Sequence, residues 1–362
     1  MRRLNLFAVV CLCAGVGFSE KLPPLPEHAF TYVVIPDTQR YLGAGAHVKP
    51  GRSPSVPLEG EPRNPAFESR VDWIVNNVDK ERIVFVSHTG DIIDVKNDFQ
   101  WSVASNLMSR LDGVVPYGIS LGNHDLGSSS CADFNRYFPR SRYEGRSWYA
   151  GAFDGYMGLR GKEKEPHKVC WGNADSCQLV EMDGYRFVFL HLECNAPVPV
   201  LKWADAMLDK YADRIAVVCT HMFLGYKSRE VYKQKKKDMQ IRDDWFGVME
   251  WSKCHGRDGM SADRAWETCF ARHKNLLLVI CGDQGPVICW REKLTGVNGN
   301  VVHGVLQDYP RTRNDEDWLR LFRFRPRDRK IDVWTYSPQR DEVCQVAGFR
   351  KNRADHVFTL DY

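Results

Sequence analysis

Four times in this chain a short apolar run rich in β-branched residues stops at side chains able to hold a cation. "FTYVVIP" leads into "DTQ", "RIVFVS" into "HTGDIID", "GVVPYGIS" into "LGNHD" and "RIAVVC" into "TH". Uninterrupted apolar runs of this length, bounded by turn residues, predict buried strands. Open α/β sheets place their sites outside the carboxyl ends of such strands. One pattern therefore constrains both fold and chemistry: strand ends that gather oxygen and imidazole donors along one edge. A fifth run, "NLLLVI", stops at "CGDQG", which carries no histidine.

The intervening stretches agree. "ESRVDWIVNNVDK" predicts a helix between the first two strands, and residues 43 to 65 read as a long Gly/Pro-rich loop. Strand, helix, strand, helix, strand predicts an α/β sandwich with a partly parallel sheet. Further on, "CQLVEM" and "YRFVFLHLE" predict a hairpin turned at Asp183-Gly184. A helix with Leu201, Ala204, Leu208 and Tyr211 on one face follows, and another spans "SADRAWETCFARH" with Ser261 as cap. "VVHGVLQDY", "WLRLFRFRP" and "KIDVWTYSP" are strands with no helices between them, so a second sheet is required. The charged run at 233 to 244 reads as a solvated loop.

The start of the chain has the order of a secretory signal: basic "MRRLN", an apolar run over residues 6 to 18, then the small residues Gly17 and Ser19. Residues 1 to 19 are expected to be a signal peptide, cleaved before Glu20, and the protein exported to a periplasm, a cell surface or the exterior. The run is too short to span a bilayer, and no later stretch is long and apolar enough. Residues 28 to 340 are expected to form one domain, with 341 to 362 a C-terminal extension packed on it. The net charge of +4 gives no reason to expect a nucleic-acid partner. Twelve cysteines, two of them in the signal, fit an oxidising compartment; Cys170/Cys177, Cys254/Cys269 and Cys281/Cys289 are close in sequence, with disulfide connectivity open. The sequence carries no signal of an oligomeric state.

Two divalent ions a few ångströms apart need a set of oxygen and nitrogen donors with one bridging carboxylate. Taken alone, each strand-end residue is ordinary: an Asp there often caps a helix, and Gly-Asn often makes a turn. Their joint order is not ordinary. "DTQ", "TGDIID", "GNHD" and "TH", together with the stretch from "YVVIPDTQRY" to "KIDVWTYSP", resemble the calcineurin-like metallophosphoesterases, in particular the exported branch whose first motif is Asp-Thr-Gln. The resemblance implies a four-layer α/β/β/α sandwich, two packed mixed sheets flanked by helices. It implies hydrolysis of a phosphate ester, monoester or diester, by a metal-bridged hydroxide, on a phosphorylated small molecule or a phosphodiester. By the same resemblance Asp37 binds a first ion and Gln39 is a weak ligand or a bracing partner. Asp91 bridges both ions, Asn123 and His221 bind the second, His124 is the general acid with Asp125 orienting its ring, and Asp94 braces the site.

The fifth motif departs from the family's Gly-His-x-His. Asp283 stands for the first histidine and remains a competent ligand for a hard ion; Gly285 stands for the second and offers no side chain. Gln284 and His303 are candidates to fill the gap, while His88 and His191 read as structural. Carboxylate and amide in place of imidazole shift preference among one or two divalent ions, Mn, Mg, Ca, Fe or Zn, toward the harder ones. The alternative is a catalytically impaired member acting as a ligand-binding protein, with Trp148, Tyr149, Tyr156 and Trp171 as a platform.

Overall fold

The computed structural model describes residues 20–46, 59–126, 131–154, 170–234, 242–284, 289–309, 317–347, 350 and 352–362. The expected signal peptide, most of the loop from 43 to 65, most of the charged run at 233 to 244, Tyr156 and Gly285 lie outside the described residues. No helix among the described residues is long and apolar enough to cross a membrane.

β1 (Phe30–Ile35), β2 (Ile83–His88) and β3 (Tyr117–Ile119) run parallel, joined through helices α1 (Pro65–Asn77) and α2 (Asp98–Ser109). Each helix start is fixed by an asparagine. Asn64 Oδ1 accepts from the Phe67 amide at 3.1 Å ahead of Pro65, and Asn97 Oδ1 accepts from the Gln100 amide at 2.9 Å. The chain then enters a second sheet through β4 (Tyr149–Ala152), β5 (Ser176–Met182), β6 (Tyr185–Leu192) and β7 (Ile215–Thr220). Asp183 and Gly184 turn the β5–β6 hairpin with φ of 51° and 80°, positive at both positions as a two-residue type I′ turn requires.

A small ribbon, β8 (Leu224–Tyr226) with β9 (Phe246–Val248), precedes β10 (Leu276–Cys281), β11 (Cys289–Thr295) and β12 (Val301–Gln307). The second sheet has the order β11-β12-β10-β7-β6-β5-β4. The last strands, β13 (Leu319–Arg325), β14 (Lys330–Ser337), β15 (Glu342–Val343) and β16 (Val357–Asp361), return to the first sheet. Its order is β15-β14-β13-β1-β2-β3, with β16 also on β14. Residues 342–343 and 357–361 are thus strands of the sheet, where the sequence led us to expect a packed extension.

Alternate residues of each strand explain the layers. Phe30, Tyr32 and Val34 of β1 join Phe85, Phe187, Phe189, Leu278, Ile280, Phe322 and Phe324 between the two sheets. Phe85 and Phe189 stack across that interface with centroids 3.9 Å apart; truncating either to alanine should cost ~3–5 kcal/mol. Val33 and Ile35 belong instead to the core that includes Phe67, Val71 and Ile74 of α1 and Trp101 of α2. Val200, Leu201, Ala204 and Leu208 of the helix Val198–Lys210 cover the outer face of the second sheet. Helices therefore lie outside two packed mixed sheets, as expected.

All ten described cysteines are buried and unlinked. Cys170 is within hydrogen-bond reach of Cys131, and Cys254 of Cys194. For these two the thiol that is met is not the sequence neighbour, because the fold brings Cys131 to Cys170 and, across β7, Cys194 to Cys254.

Candidate metal centre

Asp37 follows β1, Asp91 lies three residues beyond β2, Asn123 opens a short helix (Asn123–Leu126) after β3, and His221 follows β7. Asp37, Asp91 and His221 are buried, and each offers a ligand atom within 4.8 Å of the others. His221 Nδ1 donates to the Thr89 carbonyl at 2.9 Å, which leaves Nε2 as the nitrogen aimed into the centre. Nε2 lies 3.2 Å from Asp91 Oδ1 and 3.6 Å from Asp283 Oδ1, and is buried without a hydrogen-bond partner of good geometry. An imidazole nitrogen set against carboxylate oxygens calls for a cation or a proton between them. Two carboxylates, a pre-oriented imidazole and an orphaned ring nitrogen fit a divalent ion.

The backbone is bent to make this convergence. Asp91 and Asp283 both have left-handed φ, 48° and 70°, a conformation that costs of order 1–3 kcal/mol per residue. A β-carbon on Gly122 would collide with Asp91 Oδ1, and one on Gly282 with Asp37 Oδ1. The glycines of "GNHD" and "CGDQG" are therefore required by close approach, not by turn formation alone.

Gln39 Nε2 donates to Asp91 Oδ2 at 2.5 Å. Of the two roles expected for it, this is the bracing one. The Asn123 amide reaches Asp283 Oδ1 at 2.7 Å. The His124 amide donates to Asp91 Oδ1 at 2.8 Å, so the turn of "GNHD" also positions that carboxylate.

The His124 ring is held differently from expectation. Its Nδ1 donates to the Asp94 carbonyl at 2.6 Å and lies 3.4 Å from Asp94 Oδ1. Asp125 does not reach the ring. Its carboxylate accepts from the amides of Gly122 at 2.8 Å, Ile93 at 3.2 Å and Ile92 at 3.3 Å, tying the second and third motif loops together. Successive helical side chains point about 100° apart, so neighbours in sequence face different ways. The orienting residue is therefore Asp94. Burial, then the charge of Asp91, pushes the Asp125 carboxyl up to about 6 despite its amide donors.

Charge is crowded here. Burial first, then Asp308, Asp91 and Asp283, drives the Asp37 carboxyl well above its usual range, with His221 opposing. Burial also opposes ionisation of Asp91, but His221 and then His124 hold it below the ordinary value. Asp283 is likewise held low, against burial, by Lys253 and His221. In this arrangement protons occupy part of the cluster, and a divalent ion competes with them.

Two participants escaped the sequence reading. Asp308 follows the apolar run of β12 in "VLQDY", so the strand-end rule that found the others applies to it as well. Lys253, in the irregular "WSKC", carries no such signal; its ammonium bonds to Asp283 Oδ1. The remaining imidazoles serve elsewhere. His88 accepts from the Gly90 amide at 3.1 Å and meets Thr38 Oγ1 at 3.1 Å, shaping the second motif loop. His191 bridges Ser87 and Gln178, each at 2.8 Å. His303 Nε2 donates to the Asp361 carbonyl at 2.7 Å and lines a ~990 Å³ cavity near the amino ends of β7 and β10. Gln284 donates to Asp283 Oδ2 at 2.7 Å and so braces the fifth motif. Trp148 and Tyr149 pack with Tyr143 at centroid distances of 6.3 and 5.8 Å.

A family model for the calcineurin-like phosphoesterases matches residues 30–284. The chain is 23% identical over 333 residues to YvnB, an uncharacterised protein of Bacillus subtilis (strain 168); the match takes in 90% of this chain and 21% of that protein. This chain thus spans about a fifth of the length of the curated relative it matches. Among solved structures, the Haemophilus influenzae NAD nucleotidase (NadN) aligns with TM-score 0.40 and 10% identity over 87% of this chain and 48% of that one. GAP50, the anchor in the inner membrane complex of Plasmodium, aligns with TM-score 0.42 and 10% identity over 87% and 86%. With two packed sheets whose strand ends bring Asp37, Asp91 and His221 together, and a family model covering most of its length, the chain belongs to the calcineurin-like phosphoesterase family.

Proposed function

We propose that the protein hydrolyses a phosphate ester, monoester or diester, on a phosphorylated small molecule. The observation that carries this reading is the pairing of two features. Asp37, Asp91 and His221 converge, and the partly exposed His124 ring stands beside them with Nε2 3.9 Å from Asp91 Oδ2. A divalent ion held by Asp37, Asp91 and His221 would polarise a phosphoryl oxygen and make water acidic enough to attack phosphorus. His124 does the proton work. Its Nδ1 proton is committed to the Asp94 carbonyl, so as an imidazolium the ring would hand its Nε2 proton to the leaving oxygen and be left as the neutral Nδ1–H ring. Asp94 keeps the ring in that tautomer, and Asp125 locks the two loops that carry Asp91 and His124. A donor set dominated by carboxylates favours Mn, Mg or Ca. The leader-like first nineteen residues support an exported setting.

The test is turnover of an aryl phosphodiester and an aryl phosphomonoester by the chain from Glu20 with added Mn²⁺, beside Asp91→Ala. The expected result is metal-dependent hydrolysis that vanishes in the variant. The second reading, an impaired member that binds a phosphorylated ligand, has one observation in its favour: an ammonium, that of Lys253, already meets Asp283. A folded protein with no turnover above Asp91→Ala in Mn²⁺, Mg²⁺ or Zn²⁺ would move the conclusion to that reading.

A further inference from the structure

We propose that Lys253 takes the place of one of the two cations around which such a site is built, so that the centre holds a single divalent ion beside a fixed ammonium. This rests on the metal-centre reading above. Its ammonium bonds to Asp283 Oδ1, the same oxygen that the Asn123 amide nitrogen meets at 2.7 Å. By the resemblance Asn123 binds the second ion with His221 and the bridging Asp91, and Asp283 stands where the first histidine of the fifth motif would ligate.

The placement of Lys253 is built in. The Lys253 and Cys254 amides both donate to Asn195 Oδ1, at 2.9 and 3.2 Å. Asn195 is itself held by donation to the Met260 carbonyl at 3.0 Å. The Lys253 ammonium lies 5.9 Å from the Tyr232 ring centroid and 5.8 Å from that of Trp251, and those rings are 4.9 Å apart. Trp251 Nε1 donates to the Tyr226 carbonyl at 2.8 Å, fixing that wall. The lysine side chain is 23% exposed, and its head points at a carboxylate that is 5% exposed. A surface lysine has no such support; this one is delivered by an anchored backbone and an aromatic pair.

The rest of the centre fits one ion. The resemblance divides Asp37 and His221 between two ions, yet here their ligand atoms and one from Asp91 all lie within 4.8 Å of one another. Charge agrees. One divalent ion and one ammonium balance the carboxylates of Asp37, Asp91 and Asp283, whereas two ions beside the ammonium leave a positive excess. The buried Arg70 adds positive charge on this side, felt by Asp317, then Asp37, then Asp308, and approaches the Asp37 carbonyl at 3.2 Å. During turnover the ammonium would hold a phosphoryl oxygen as a point charge that is never lost to a chelator.

The test is metal stoichiometry. The chain from Glu20, Lys253→Met, Lys253→Arg and Asp91→Ala are loaded with Mn²⁺, freed of excess, and examined by elemental analysis and by electron paramagnetic resonance. The expected result is one Mn²⁺ per wild-type chain with the six-line spectrum of an isolated ion. Lys253→Arg should match it, and Lys253→Met should admit a second ion and show a spin-coupled pair. Two coupled ions in the wild type overturn the proposal, as does a Lys253→Met protein that is folded and still binds only one. No Mn²⁺ in any variant would instead overturn the metal-centre reading on which this depends.

Discussion

The Gln39 amide nitrogen rests on one oxygen of Asp91, at 2.5 Å, while His221 Nε2 faces the other at 3.2 Å. The two contacts fix the plane of the carboxylate that must bind the ion. Gln39→Ala should therefore weaken Mn²⁺ binding about 10–100-fold without unfolding the protein, the range seen when partners of metal ligands are removed. Isothermal titration with Mn²⁺ measures this; unchanged affinity would mean that Asp91 is oriented by the backbone alone.

His124 should matter in proportion to how badly the leaving group needs a proton. With an alkyl phosphate, His124→Ala should lower kcat by about 10²–10⁴, the usual range for a lost general acid. With a p-nitrophenyl ester, whose leaving oxygen is already acidic, the loss should shrink to a few-fold. An equal loss on both substrates would assign His124 to binding instead.

Asp37 is kept where carboxylates crowd, and its proton affinity shows the strain. Asp37→Asn retains an acceptor for Thr89 Oγ1, which now lies 3.2 Å from Asp37 Oδ1, and removes one charge. Without metal this variant should melt a few degrees higher than wild type, a gain of about 1 kcal/mol. It should also lose the rise in Tm that Mn²⁺ gives the wild type. Thermal scans with and without Mn²⁺ decide both points.

Burial pulls the His191 imidazole from its ordinary 6.5 down to about 3, because the ring is enclosed between Ser87 and Gln178. The folded protein therefore binds this proton less readily than the unfolded chain does. The stability it represents is complete above pH 6.5 and is lost as pH falls toward 3, by ~1.4 kcal/mol for each pH unit in that window. Urea melts between pH 7 and pH 4.5 should show a steady fall, and a flat profile would contradict it.

The cysteines make a further expectation concrete. Treated with oxidised glutathione during refolding, which is reduced as two thiols give up two electrons and two protons, the chain should link Cys131 to Cys170 and Cys194 to Cys254. These are the thiols in reach of each other. Non-reducing peptide mapping reads the outcome, and links between Cys170 and Cys177 or Cys254 and Cys269 would show that oxidation follows sequence proximity.

What could be read in advance followed one physical rule. A run of apolar residues commits a segment to the interior, and the first polar residues after it are then held at a sheet edge; that is how Asp37, Asp91, Asn123 and His221 were found. The rule failed where position is set by tertiary contacts. Lys253 comes from an irregular segment that Asn195 hangs in place, and nothing local announces it. The resemblance gave Asp125 as the partner of His124, yet the helix turns its carboxylate toward three amides and leaves Asp94 to hold the ring. β15, only Glu342–Val343, is too short to carry a pattern, while β16, "VFTLD", is five residues whose pairing on β14 is set by tertiary contact.

β1 has one neighbour early and one very late. It pairs with β2 through Thr31 and Ile83, and with β13 through Phe30 and Phe324. A chain emerging from the ribosome therefore carries a central strand with one edge of unpaired backbone N–H and C=O groups until β13, Leu319–Arg325, is made. Asp37, at the end of that strand, cannot settle before then. The candidate ion-binding centre thus depends on a strand made nearly three hundred residues after β1, and the waiting edge is where a holding chaperone would be needed most.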